Sequence, residues 1–168
     1  MLKSLIIGAG VALLFAAPAV ACTDITSKTV KLTGCVDDQW QAQAGQGAQE
    51  FSYLTADQNF ALQLVTETAV LPATGLHDAI IANAKSAVKD NPDGVKVVSE
   101  RVETIDGKPF NELEYTVSDG TNTLTYQNLY YSAPGYGTVQ ILVLSTPDSA
   151  TAAAFKEGQF AATVKVGG

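Results

Sequence analysis

The chain has 168 residues, with ten Lys or Arg against 17 Asp or Glu and a formal net charge of −7. That deficit of basic residues argues against binding nucleic acid or the anionic headgroups of a lipid surface, and an acidic surface of this kind keeps an exported protein soluble. Two cysteines and a single histidine are too few for a zinc centre.

Met1-Leu2-Lys3-Ser4 carries one positive charge, Leu5 to Ala17 is apolar, and Pro18-Ala19-Val20-Ala21 is a small-residue tail. This is the pattern of a secretory signal peptide, so residues 1–21 are expected to be removed and the rest exported to the periplasm or beyond. The apolar run is shorter than the roughly 20 residues that a membrane-spanning helix needs. Cleavage after Ala21 would make Cys22 the first residue, and two outcomes stay open. Either Cys22 pairs with Cys35, closing a loop of about 14 residues worth about 3 kcal/mol in the chain-entropy model, or Cys22 carries a lipid anchor and Cys35 stands alone. Bacterial lipoprotein signals usually have Leu three residues before the cysteine, where this chain has Ala19, and an even cysteine count favours the disulfide.

Residues 22–50 read as an N-terminal arm lying on a single domain, residues 51–168. Within the arm, Thr29 to Thr33 alternates like a strand, Gly34-Cys35 interrupts it, and Gln39 to Gln49 reads as a frayed helical turn or a connector. Trp40 is expected to pin the arm down. The domain opens with a hairpin, Phe51 to Leu54 and Phe60 to Thr68, joined by Asp57-Gln58-Asn59. A helix over Gly75 to Lys89 follows, with Thr74 at its N-cap position and Pro92-Gly94 beyond its end. Four strands come next: Val95 to Thr104, Phe110 to Val117, Thr123 to Tyr131 and Thr138 to Ser145. Asp106-Gly107 marks the first of their turns. The last of these strands is apolar on both faces, so both faces need cover. Thr146-Pro147-Asp148 then starts a helix running to about Ala162.

The order β-β-α-β-β-β-β-α defines an α+β fold with an antiparallel sheet of about six strands and helices on both faces. Together with Gly107-Lys108-Pro109-Phe110, Leu113, Tyr115, the turn Gly135-Tyr136-Gly137 and the helix start at Thr146-Pro147, it resembles the Mog1/PsbP-like α/β/α sandwich, which includes bacterial envelope proteins of the DcrB type. The likeness covers residues 51–165. It implies a non-enzymatic adaptor or assembly protein, and it supplies no active site to carry over.

Chemistry is sparse. His77 reads as an exposed helical residue, Asp90 to Gly94 as a turn rather than a calcium loop, and Glu112 with Glu114 as a solvated strand face. No catalytic residue, cofactor or metal site is identified. Tyr126 and Tyr130 share one strand face and Tyr131 the other, with Tyr136 in the next turn. Tyr130, Tyr131 and Tyr136 are therefore the candidate contacts for a protein partner, the alternative being a place in the core. The expected function is an exported envelope protein that binds another protein through the loop ends of its sheet. A small-ligand carrier with a pocket under the Gly75 to Lys89 helix, or a hydrolase using His77 or a carboxylate pair, are the alternatives.

Overall fold

The computed structural model describes residues 21–167. The expected signal segment up to Val20 lies outside them. In chain order the described elements are β1 (Cys22–Thr26), β2 (Leu32–Asp37), β3 (Trp40–Gln43), β4 (Gln49–Thr55), β5 (Ala61–Glu67), α1 (Ala73–Ala87), β6 (Val95–Ile105), β7 (Lys108–Ser118), β8 (Thr123–Ala133), β9 (Gly137–Ser145), α2 (Ala150–Ala161) and β10 (Lys165–Val166). Seven strands form one antiparallel sheet in the order β3-β4-β5-β9-β8-β7-β6, and β1-β2-β10 form a smaller one. The α+β class with helices on both faces stands, with more strands than the expected six.

The alternating patterns of the sequence assign the faces. On β7, Leu113, Tyr115 and Val117 meet Leu76 and Ile80 of α1, with Tyr130 of β8 beside them. Leu76 and Ile80 are four residues apart and so lie on one helical face. The opposite face of the sheet carries Phe110, Leu129, Val139, Ile141 and Val143, and packs against Ala153, Phe160 and Ala161 of α2. Small residues at Ala153 and Ala161 let the α2 backbone come close. Ile25, Leu32, Val36 and Val166 of the small sheet join this same core. The layers are therefore α1, the seven-stranded sheet, and then α2 together with the small sheet.

Several local readings change for identifiable reasons. β2 runs through Gly34 and Cys35 instead of breaking there. A side chain at Gly34 would stand 3.3 Å from the Phe160 ring, so the glycine marks a close approach of α2 to a strand. Thr163 Oγ1 locks the same point, accepting from Cys35 N–H at 2.9 Å and donating to the Cys35 carbonyl at 3.1 Å. Residues 40–43 are neither helix nor connector; they form the edge strand β3 on β4. The cause is Trp40, 8% exposed within the α2-side core. α1 begins at Ala73 with Pro72 as its N-cap and no side-chain cap, so Thr74 lies inside the helix. The second helix starts as a 3-10 turn over Pro147–Ser149. At the β6–β7 hairpin, Asp106 (φ 48°) and Gly107 (φ 76°) both take the left-handed conformation, as a tight two-residue turn requires.

Candidate functional site

The three candidate tyrosines do not form one surface. Tyr130 is 5% exposed and lies on the α1 side of the sheet. Tyr131 points the other way, stacked on Phe110 with ring centroids 5.2 Å apart, and Tyr136 meets it edge-on at 5.4 Å. Tyr131 and Tyr136 are half-buried against the α2-side core. Of these three, Tyr136 fronts the larger cleft.

That cleft, about 570 Å³, lies at the end of the sandwich where the β8–β9 turn, the β1–β2 turn and β10 converge; Ser27, Lys28, Lys31, Gly135, Tyr136 and Lys165 are among its lining residues. The Tyr136 hydroxyl is buried with no hydrogen-bond partner among the described residues. Burial, with Tyr131 adjacent, pushes its pKa up to about 12, so the hydroxyl stays protonated and offers a donor as well as an acceptor. Three of the chain's ten basic residues line this one cleft. Lys165 Nζ reaches Asp106 Oδ1 at 3.3 Å. Lys28 and Lys31 make no ion pair among the described residues.

Glu50, at the start of β4, holds the β1–β2 turn in place. Its carboxylate accepts from Ser27 Oγ and Thr66 Oγ1, both at 2.6 Å, and from the Lys28 N–H. Ser27 Oγ in turn accepts from the Thr29 and Val30 N–H groups at 3.1 and 3.0 Å. Burial pushes the Glu50 pKa up, but the hydrogen bonds from Lys28, Ser27 and Thr66 outweigh it and leave it below its ordinary value. The lysines are thereby displayed from a turn that is fixed at its base.

On the opposite face, a second cleft of about 390 Å³ holds His77, Asp78, Glu100, Asn111 and Tyr130. His77 is not a freely exposed helical residue. Its side chain is 27% exposed, with Nδ1 3.1 Å from Asp78 and Nε2 3.6 Å from Glu100. Cys22 and Cys35 are joined as a disulfide, with Cα atoms 5.6 Å apart. The bridge ties β1 to β2 beside Trp40, Gln159 and Phe160.

Glu112 departs most from the sequence reading. It is 3% exposed and not on a wet strand face. Across the sheet, Leu64, Ile141, Leu129 and Glu112 stand in one row of paired residues, so Glu112 continues an apolar row. Glu157 of α2 is 2% exposed and lies on that helix's buried face with Ala153, Phe160 and Ala161. Burial, together with Glu103 beside it, pushes Glu112 up to about 7, against the opposing pull of Arg101. Burial and the Glu112 charge raise Glu157 well above its ordinary value. Arg101 Nε lies 2.6 Å from Glu112 Oε2, yet that oxygen has no properly aligned hydrogen bond. The pair is an ion contact at the sheet edge, and these sealed carboxylates bear on stability.

This architecture, an antiparallel sheet with a helix on each face, is similar in fold to the Mog1/PsbP-like α/β/α sandwich. Three solved structures are among those similar to it. The cyanobacterial PsbP (CyanoP) of Synechocystis sp. PCC 6803 is 12% identical over 92% of this chain and 99% of that one, with a TM-score of 0.60. The Ran-binding protein Mog1p of Saccharomyces cerevisiae is 11% identical over 88% and 96%, with a TM-score of 0.58. LpqN of Mycobacterium tuberculosis, involved in cell envelope biogenesis, is 13% identical over 86% and 90%, with a TM-score of 0.52. No protein-family model matches the sequence, and no curated protein matches it. Identities this low establish the shared fold and nothing finer.

Proposed function

We propose that the chain is an exported, non-enzymatic binding protein of the cell envelope that takes an acidic segment of another protein at the Tyr136 end of its sandwich. The observation that carries this reading is the cleft itself. In a chain of net charge −7 its lining gathers Lys28, Lys31 and Lys165 beside Tyr136. Opposite charge at such a surface steers a partner and fixes its register, while an aromatic residue at the centre supplies contact area. Tyr131 acts behind Tyr136 as its support, and Tyr130 belongs to the other face. Of two fold neighbours, one is a Ran-binding protein and the other is involved in cell envelope biogenesis, which supports a binding role in the envelope for this architecture. Export rests on the signal pattern of residues 1–21 and on the Cys22–Cys35 bridge, which belongs in an oxidising compartment.

Two measurements test this reading. Intact mass of the protein from its native host is expected to show a chain beginning at Cys22 and lacking two hydrogens; an added lipid mass would replace the free exported form with an anchored one. Reversing the charge at Lys28, Lys31 and Lys165 together is expected to lower recovery of a cellular partner by about ten-fold or more, since each charge-assisted contact contributes on the order of 1 kcal/mol. Unchanged recovery with an intact fold rules the cleft out as the contact surface.

A further inference from the structure

β6 is the last strand of the seven-stranded sheet, and no strand among the described residues pairs with its outer edge. Proteins guard such edges with charges, bulges or prolines. Here Lys96 and the irregularity between Val97 and Ser99, which leaves Val98 without a partner in β7, lie in the first half of the strand. From Ser99 to Ile105 the pairing with β7 is regular. At the centre of that stretch stands Val102, 64% exposed.

The register with β7 puts Glu100, Val102 and Thr104 on the α1 face and Ser99, Arg101, Glu103 and Ile105 on the α2 face. A second copy added to this edge about a two-fold axis pairs residues placed symmetrically around a centre. Centres between residues would oppose side chains from different faces, so the axis must pass through a residue. Centring on Glu100, Arg101 or Glu103 sets a charge against its own copy, which is unfavourable. Centring on Thr104 opposes Val102 to Asp106. Centring on Val102 sets valine against valine and Arg101 against the second copy's Glu103 on both sides of the axis, with Glu100 opposite Thr104. Arg101 already touches Glu103 and Glu112 of its own chain through Nε, and its terminal N–H groups, which make no hydrogen bond among the described residues, can reach across.

We infer that the protein forms a two-fold dimer in which two β6 strands pair antiparallel about Val102, extending the sheet across both copies. One strand pair is a small interface, below the roughly 1,200 Å² of a stable complex. The association is therefore weak and concentration-dependent, and it sets the Tyr136 ends of the two copies at opposite ends of the joined sheet.

Cysteine trapping is the test, using the protein expressed from its full sequence with the native disulfide formed. At the axis, opposed Cα atoms about 4.5–5.5 Å apart allow a disulfide, so Val102→Cys is expected to yield a covalent dimer under mild oxidation. Thr104→Cys places its two sulfurs on residues separated by about 14 Å along and across the strands and is expected to react on the order of ten-fold more slowly. In sedimentation, the unmodified protein should gain mass with concentration while Val102→Lys, at an exposed position, stays monomeric with an unchanged circular dichroism spectrum. Equal trapping at 102 and 104, trapping at neither, a different chain captured at 102, or an unmodified protein that stays monomeric throughout would each overturn the proposal.

Discussion

Replacing Glu157 with Gln is expected to raise the stability of the protein at about pH 8 and to change it little at about pH 5. Glu157 is 2% exposed and Glu112 3%, and burial raises both above the ordinary carboxylate value. A group whose folded pKa is raised binds more protons in the folded state than in the unfolded one. Stability therefore falls as pH rises through the interval between the two values. For Glu112 that interval runs from 4.5 to about 7, and it corresponds to at most about 3 kcal/mol. For Glu157 the loss has the same sign, caused first by burial and then by the charge of Glu112. Gln keeps the shape and removes the charge. Urea unfolding of both proteins across this range checks the result: the natural protein should lose stability with rising pH, and the variant should lose less of it. Glu50, Asp57, Asp106 and Asp119 are lowered instead. Their contribution is present above their ordinary values and is lost as pH falls through the folded ones, so it declines only in acid. A natural protein that became more stable between pH 5 and 8 would contradict the buried-carboxylate account.

Gly137→Ala is expected to cost about 3 kcal/mol and to abolish partner recovery together with it. Gly137 has φ +105°, and an added Cβ would sit 2.4 Å from the Glu67 carbonyl oxygen and 3.0 Å from Val30 Cγ1. The backbone conformation and the collision act together, and Glu67 cannot yield without disturbing β5, which pairs with β9 there. The turn that must shift carries Tyr136, and Val30 belongs to the β1–β2 turn that presents Lys28 and Lys31. Stability by denaturant and recovery of the partner should fall in the same variant. Gly135→Ala, at φ +77° with nothing within 4 Å of the added Cβ, should cost only the left-handed penalty of about 1 kcal/mol. A Gly137→Ala protein as stable as the Gly135→Ala one would mean that the turn does not pack as described.

The meander was legible because its signals are local. Asp106-Gly107 can hardly be anything but a tight turn, and Val139, Ile141 and Val143 alternating with Leu142 and Leu144 require cover on both faces. Gly34 misled because a glycine in a strand reads as a break unless the helix that approaches it is known. Glu112 misled because a strand's own alternation cannot say whether its polar face meets water or α2. One signal did exist: Ala153, Glu157, Phe160 and Ala161 recur at helical spacing, which puts a carboxylate in the apolar stripe of α2. The cleft could not be read from the chain. Lys28 and Lys31 meet Lys165 only because β10 pairs with β2, with Lys165 opposite Thr33, and no pattern in two short stretches so distant in sequence announces that pairing.

The contact surface is tested most directly by placing a photo-crosslinking residue at Lys31, and separately at Thr121 in the exposed β7–β8 turn, and irradiating cells that produce the protein. One recurrent adduct is expected at position 31, to a protein with an acidic segment, and none of that adduct at position 121. The same adduct from both positions, or an adduct at 121 alone, would contradict it.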